Sequence, residues 1–103
     1  MYTQFTETVI EIIKGIPKGK VQTYGGISKL AGSSFGARQV VRILSSMSDK
    51  HGLPWHRVIN SKGELPKLNS EMFIEQTDLL RNEKVKVSDD GKVDLKKYLW
   101  NGK

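Results

Sequence analysis

Apolar residues recur three and four apart at the start of the chain, where Phe5, Val9, Ile12, Ile13 and Ile16 form one stripe. That spacing predicts an amphipathic helix over about Thr3–Gly15. Pro17 and Gly19 in GIPKGK then stop it. In VQTYGGISKLAG, Thr23 is placed to cap a short second helix and Gly32 to end it, with Ile27, Leu30 and Ala31 facing inward. A third helix is predicted over FGARQVVRILSSM, capped by Ser33 or Ser34, with Val40, Val41, Leu44 and Met47 as its apolar side. SDKHG reads as a linker, PWHRVIN as an extended segment and SKG as a turn. Pro66 keeps LPKLNS a loop. A fourth helix is expected over Glu71–Asn82, burying Phe73, Leu79, Leu80 and Met72. The tail alternates Val85 and Val87 with lysines, turns at Asp90–Gly91 and resumes with Val93 and Leu95, which predicts a β-hairpin. Tyr98, Leu99 and Trp100 are expected to close over the core.

The predicted fold is therefore mainly α with a small β component, a winged-helix-like helix-turn-helix arrangement. At 103 residues it is expected to form a single domain spanning 1–103, with one modest core. Neither a signal peptide nor an apolar run long enough to span a bilayer is present, so no membrane association and a cytoplasmic location, nucleoid-associated in a bacterium, are expected.

Charge changes the picture. Residues 14–62 hold nine Lys or Arg against Asp49 alone, whereas the rest of the chain holds eight basic and ten acidic residues. A central segment of this sign is drawn to a phosphate backbone, the alternative being a solvated lysine-rich surface. Within it lie the second and third helices. Gly25 and Gly26 strip side-chain bulk from the first turn of the second, where backbone N–H groups can approach a phosphate. Arg38 and Arg42 are four apart on the third and project along nearly one line. Two helices, a small-residue turn and outward arginines make a helix-turn-helix pattern suited to DNA. Arg38 could bridge phosphate, read a base edge, fill a vacated stack, or form a surface salt bridge. Tyr24 could press on a DNA backbone or pack between helices.

The chain has no cysteine, which removes disulfides, thiolate metal sites and a cysteine nucleophile together. His51 and His56 lack ligand-like partners, so no metal and no cofactor are expected. In PWHRVIN, Trp55 offers a broad face to a planar base or an alkyl group, or serves as core or lid. His56 has no serine, threonine or acid at a catalytic spacing, which favours a hydrogen-bonding role. Arg57 could contact phosphate or brace the loop.

PWHRVI, together with VQTYGGISKLAG and GARQVVRIL, resembles the DNA-binding and active-site half of the O6-alkylguanine-DNA alkyltransferases, whose motif is PCHRV. The resemblance is closest to the alkyltransferase-like proteins, in which tryptophan commonly replaces the acceptor cysteine. It runs from the first helix through LLRNEKV. It implies a non-enzymatic protein that recognises O6-alkylguanine in double-stranded DNA, flips the nucleotide, and passes the lesion to nucleotide excision repair proteins. It further implies DNA contacts from Tyr24 and Arg38, with Tyr24 distorting a backbone phosphate and Arg38 filling the gap from the minor-groove side, beside the DNA contacts that the first turn and the helical spacing suggest for Gly25 and Arg42. Trp55, Lys67 and Leu68 would belong to the lesion pocket; relatives that place an arginine in the loop over the base differ here, where Leu68 follows Lys67. Pro54, His56, Arg57 and Glu83 would support the motif, His56 and Glu83 as a hydrogen-bonded pair. A monomer in isolation is expected. The rival readings are a suicide alkyltransferase, which the absent cysteine opposes, a winged-helix transcription regulator, and a protein-interaction domain.

Overall fold

The computed structural model describes residues 3–67 and 70–102. The first helix, α1 (Gln4–Gly15), starts where the Thr3 hydroxyl accepts the Thr6 N–H, and it buries Val9, Ile10 and Ile13. After the Pro17–Lys20 turn, β1 (Gln22–Thr23) leads directly into α2 (Tyr24–Leu30), whose cap is the Thr23 hydroxyl accepting from the Gly26 N–H. Then comes α3 (Ala37–His51), a single 3₁₀ turn at Trp55–Arg57, β2 (Val58–Ile59), α4 (Glu71–Asn82) and the one-turn α5 (Leu95–Tyr98). The result is mainly helical with one small sheet, and α2 packs on α3 across the short turn of a helix-turn-helix.

Two apolar clusters hold these elements. One joins α1, α2 and α3 through Val9, Ile13, Ile27, Val40 and Leu44, with Trp55 and Trp100 against its edge. The other gathers Val21, Ile59, Leu80, Val85, Val93 and Tyr98. Between them, β1 and β2 pair in parallel, Gln22 opposite Val58 and Thr23 opposite Ile59. Nothing in the local sequence announces that pairing, because its partners are far apart in the chain and each strand is only two residues long.

Several expectations are corrected. Neither Ser33 nor Ser34 caps the third helix, whose N-cap Gly36 makes no side-chain cap hydrogen bond. Ser28 Oγ from the preceding helix instead fixes the turn before it, accepting the Gly36 N–H at 2.9 Å and donating to the Ser33 carbonyl at 2.6 Å. Residues 48–51 continue α3 instead of forming a linker, and Gly52 ends it in the left-handed conformation, φ 61°. Within PWHRVIN, Trp55–Arg57 fold as a 3₁₀ turn, and only Val58–Ile59 are extended as a strand. Leu30 is exposed and lies against Gly102, because the inward line of α2 runs through Ile27 and Ser28. Val41 and Met72 are exposed too, for a reason that belongs to the site below.

The predicted hairpin does not form. Its turn closes, with the Ser88 N–H donating to the Lys92 carbonyl at 3.0 Å, but its strands find other partners. The Val85 N–H donates to the Leu80 carbonyl, and Arg81 Nη2 donates to the Val87 carbonyl at 2.7 Å, which draws residues 85–87 onto the end of α4. The returning segment pairs with residues 63–65 instead: Leu65 N–H to Gly91 O and Val93 N–H to Gly63 O, both 2.8 Å. Gly63 permits this approach. Its φ is +75°, and a Cβ there would stand 2.5 Å from the Val93 carbonyl oxygen.

Candidate functional site

The elements meet around a pocket of about 440 Å³ on one side of the small sheet. Trp55 and Tyr24 form aromatic parts of its wall, Val41 and Met72 add aliphatic surface from α3 and α4, and Leu65 and Pro66 come from the loop after β2. Their exposure is thus exposure into a cavity. A largely apolar pocket of this size with a few polar groups suits a small planar molecule or a single base. Asn60, Glu64 and Gln76 supply those polar groups. Asn60 Oδ1 accepts the N–H groups of Lys62 and Glu64, each at 2.9 Å, which fixes the turn below the pocket.

Gln76 holds the pocket floor. It is buried, and its Nε2 donates to the carbonyls of His56 at 3.0 Å and Val58 at 3.1 Å. One side chain thereby satisfies two carbonyls on either side of the turn that presents Trp55, groups that are costly to leave unpaired. No motif marks Gln76 in the sequence, and its place between Phe73 and Leu80 on one face of α4 is the signal that it points inward.

Behind the pocket lies a charged cluster. Arg57 donates from Nε to Glu83 Oε1 at 2.9 Å, from Nη2 to Oε2 at 2.6 Å, and from Nη1 to the Ile16 carbonyl at 2.8 Å. His56 Nε2 is 3.0 Å from Glu83 Oε2. The Arg57 hydrogen bonds hold the Glu83 carboxyl down at about 2, against burial, which pushes it up; His56 adds a smaller downward effect. Arg57 therefore has its guanidinium occupied inside the fold. The Trp55 and His56 rings meet edge to face, centroids 6.2 Å apart.

Tyr24 stands at the head of α2, half-buried, lining the pocket while also packing on the first cluster; burial pushes its hydroxyl upward in pKa. Gly25 is exposed with open space where a Cβ would be, so its backbone can be approached closely. Gly26 differs: a Cβ there would lie 2.1 Å from Gln22 Oε1, and Gln22 is itself locked to the Trp100 carbonyl at 2.9 Å. Arg38 and Arg42 are exposed on α3. Arg38 is one turn ahead of Val41 on the helix face that continues through Ser45 and Ser48 along the pocket. Pro54 precedes the 3₁₀ turn and its carbonyl accepts the Arg57 N–H at 3.0 Å. Lys67 is exposed, next to the pocket-lining Pro66, and Leu68 lies outside the described residues.

Among the described residues there is no cluster of three potential metal ligands, and no helix is long and apolar enough to cross a membrane. With no cysteine in the chain and His56 held by Glu83, the pocket offers an aromatic and aliphatic surface with hydrogen-bonding groups, and no thiolate.

An exposed pair of arginines on the second helix of a helix-turn-helix, beside a base-sized pocket, is the architecture of a DNA-binding domain. The chain belongs to the family of the 6-O-methylguanine DNA methyltransferase DNA-binding domain, whose model matches residues 4–85. It is 41% identical over 97 residues to the DNA base-flipping protein of Escherichia coli K12, covering 94% of this chain and 74% of that protein. A DNA base-flipping protein of Vibrio parahaemolyticus is 42% identical over 97 residues, covering 94% of this chain and 96% of the relative. The crystal structure of Schizosaccharomyces pombe Atl1 in complex with damaged DNA containing O6-carboxymethylguanine superposes with a TM-score of 0.82 at 34% identity, covering 98% of this chain and 99% of that one.

Proposed function

We propose that the protein recognises O6-alkylguanine in duplex DNA by rotating the damaged nucleotide into the Trp55 pocket, and that it does so without removing the alkyl group. The observation that carries this reading is the pocket itself: Trp55, which the resemblance to PCHRV aligns with the acceptor, forms part of its wall in a chain with no cysteine. An indole accepts a planar base or an alkyl substituent by dispersion and stacking but has no counterpart to a thiolate. The names of the base-flipping relatives and the damaged-DNA complex of Atl1 support the same reading.

In this mechanism α2 and α3 enter the minor groove. Gly25 brings backbone N–H groups close to a phosphate, Arg42 adds charge, and Tyr24 presses on the backbone at the rotating nucleotide. Arg38 enters the stack that the base leaves. Extruding a base costs a few kcal/mol, which arginine insertion and packing against Trp55 must offset. Lys67, exposed beside the pocket-lining Pro66, adds charge at the mouth of the pocket. Recognition without transfer leaves the lesion for nucleotide excision repair proteins to remove.

Fluorescence titration of matched O6-methylguanine and unmodified duplexes in one buffer tests recognition, with tighter binding to the damaged duplex expected. Equal affinities would overturn it. Intact-protein mass analysis of the same mixtures tests transfer: an unchanged mass is expected, and a gain of one alkyl group would overturn the non-enzymatic assignment.

A further inference from the structure

A second concavity, of about 880 Å³, shares no lining residue with the first. Its floor includes Val85, Val87 and Tyr98, residues of the second apolar cluster. Around them stand Arg81, Lys84, Lys86, Lys92 and Lys97. Two of these cations are engaged locally, Arg81 by the Val87 carbonyl and Lys92 by Asp90 at 3.7 Å. Lys97 lies over the Tyr98 ring, 5.4 Å from its centroid. Among the described residues Lys84, Lys86 and Lys97 have no carboxylate partner. Asp94, the one acid in the lining, is turned to capping α5, where it accepts the Lys96 N–H at 3.0 Å.

The failed hairpin adds an independent observation. Residues 84–87 alternate, Val85 and Val87 buried and Lys84 and Lys86 exposed. The Val85 N–H and Val87 carbonyl bond to α4, while the intervening Lys86 N–H and carbonyl have no hydrogen-bond partner among the described residues. An open backbone position flanked by cations without carboxylate partners, above an apolar floor, is what strand addition uses: main-chain bonds for affinity, alternate side chains for selectivity.

We propose that this groove docks an extended acidic segment of a partner protein, with carboxylates alternating with aliphatic side chains. Its carboxylates meet Lys84, Lys86 and Lys97, its apolar side chains reach Val87 and Tyr98, and its backbone pairs with Lys86. A duplex fits this groove less well, since its phosphates would cover the apolar floor without filling it, and Arg38 and Arg42 lie on another element. Docking here leaves α2 and α3 free, so the partner and DNA can be held together.

The test uses the full chain and a fluorescein-labelled octapeptide in which glutamate and valine alternate. Its equal-charge control is the block isomer, with all the glutamates preceding all the valines. Anisotropy should show saturable binding of the alternating peptide, at least about fivefold tighter than the block isomer. Lys86→Ala and Lys97→Ala, each at an exposed position, should each weaken it about three- to tenfold, at the scale of one lost charged contact. Amide chemical shifts should move at Lys86 and Val87. Affinity for the O6-methylguanine duplex should stay within about twofold. Equal binding of the two peptides, or no saturable binding, would overturn the proposal. So would a parallel loss of duplex affinity in both variants, which would make the groove a DNA surface. Failure of the damaged duplex to bind at all, with the peptide results intact, would strike the lesion-recognition reading and leave this one standing.

Discussion

Arg57 grips the Glu83 carboxylate at both oxygens, 2.9 Å from Nε to Oε1 and 2.6 Å from Nη2 to Oε2. Both side chains are only 12–13% exposed, so water screens the pair weakly. It ties the turn that carries Trp55 to the end of α4, while Arg57 Nη1 reaches back to the end of α1.

This pair makes stability depend on acid. Glu83 titrates near 4.5 in an ordinary setting and at about 2 in the fold. Its stabilising contribution is therefore complete above the unfolded value and disappears as pH falls through the window from about 4.5 to about 2. The shift corresponds to roughly 3 kcal/mol as an upper figure. Urea unfolding of the wild type and Glu83→Gln across that window should show the wild type losing its advantage as pH drops. A constant difference down to the lower end would refute the linkage.

Gln76→Leu keeps the bulk of the buried side chain and removes both of its hydrogen bonds. The His56 and Val58 carbonyls are then left without that donor, and unfolding free energy should fall by about 1–3 kcal/mol. Lesion-duplex affinity should fall as well, because the turn presenting Trp55 loses its anchor. Loss of stability with unchanged affinity would separate the floor from recognition.

Arg38→Ala should remove most of the preference for damaged over normal DNA, an effect of roughly 1–3 kcal/mol or about 5- to 150-fold in the ratio of affinities. A fluorescent base analogue opposite the lesion reports on the stack in the same titration. An unchanged ratio with an undisturbed signal would reject the finger role.

Arg42→Ala has a different expected signature. If Arg42 contacts phosphate, damaged and normal duplexes should weaken together, and the slope of log affinity against log salt should become shallower by about 1. A change confined to damaged DNA would place Arg42 among the lesion-reading residues.

Trp55→Ala empties part of the pocket wall. Losing the stacking surface should cost the damaged duplex about 1–3 kcal/mol, with little change for unmodified DNA. Equal losses on both would mark Trp55 as structural support alone.

Where apolar spacing repeats over several turns, as in α1 and α4, the elements could be read directly from the chain, and the boundaries of α4 coincide with the expected ones. The helix-turn-helix is legible through Thr23 as a cap, the small-residue turn and the four-residue spacing of Arg38 and Arg42. What failed were choices among competing partners. Val85 and Val87 alternate like a hairpin strand, yet Leu80 and Arg81 reach their backbone first, and Gly63 is free to take the other strand. The exposed Val41 and Met72 read as core residues because a cavity wall and a core have the same composition. Trp55 and His56 are marked by their own chemistry in PWHRVIN and Glu83 by motif resemblance; Gln76 belongs to no motif, and only its inward position on α4 hints at its two hydrogen bonds.

The parallel pairing of β1 with β2 has a mechanical meaning. Thr23, which starts the helix carrying Tyr24, is in register with Ile59, just beyond the turn carrying Trp55. The tyrosine that would meet the DNA backbone and the indole that would receive the base are thus mounted on one rigid gauge. A gauge of fixed span measures: under the proposed reading the substituent on a rotated guanine would have to fit the depth that remains beyond it, which would make selection among alkyl groups a matter of length and shape.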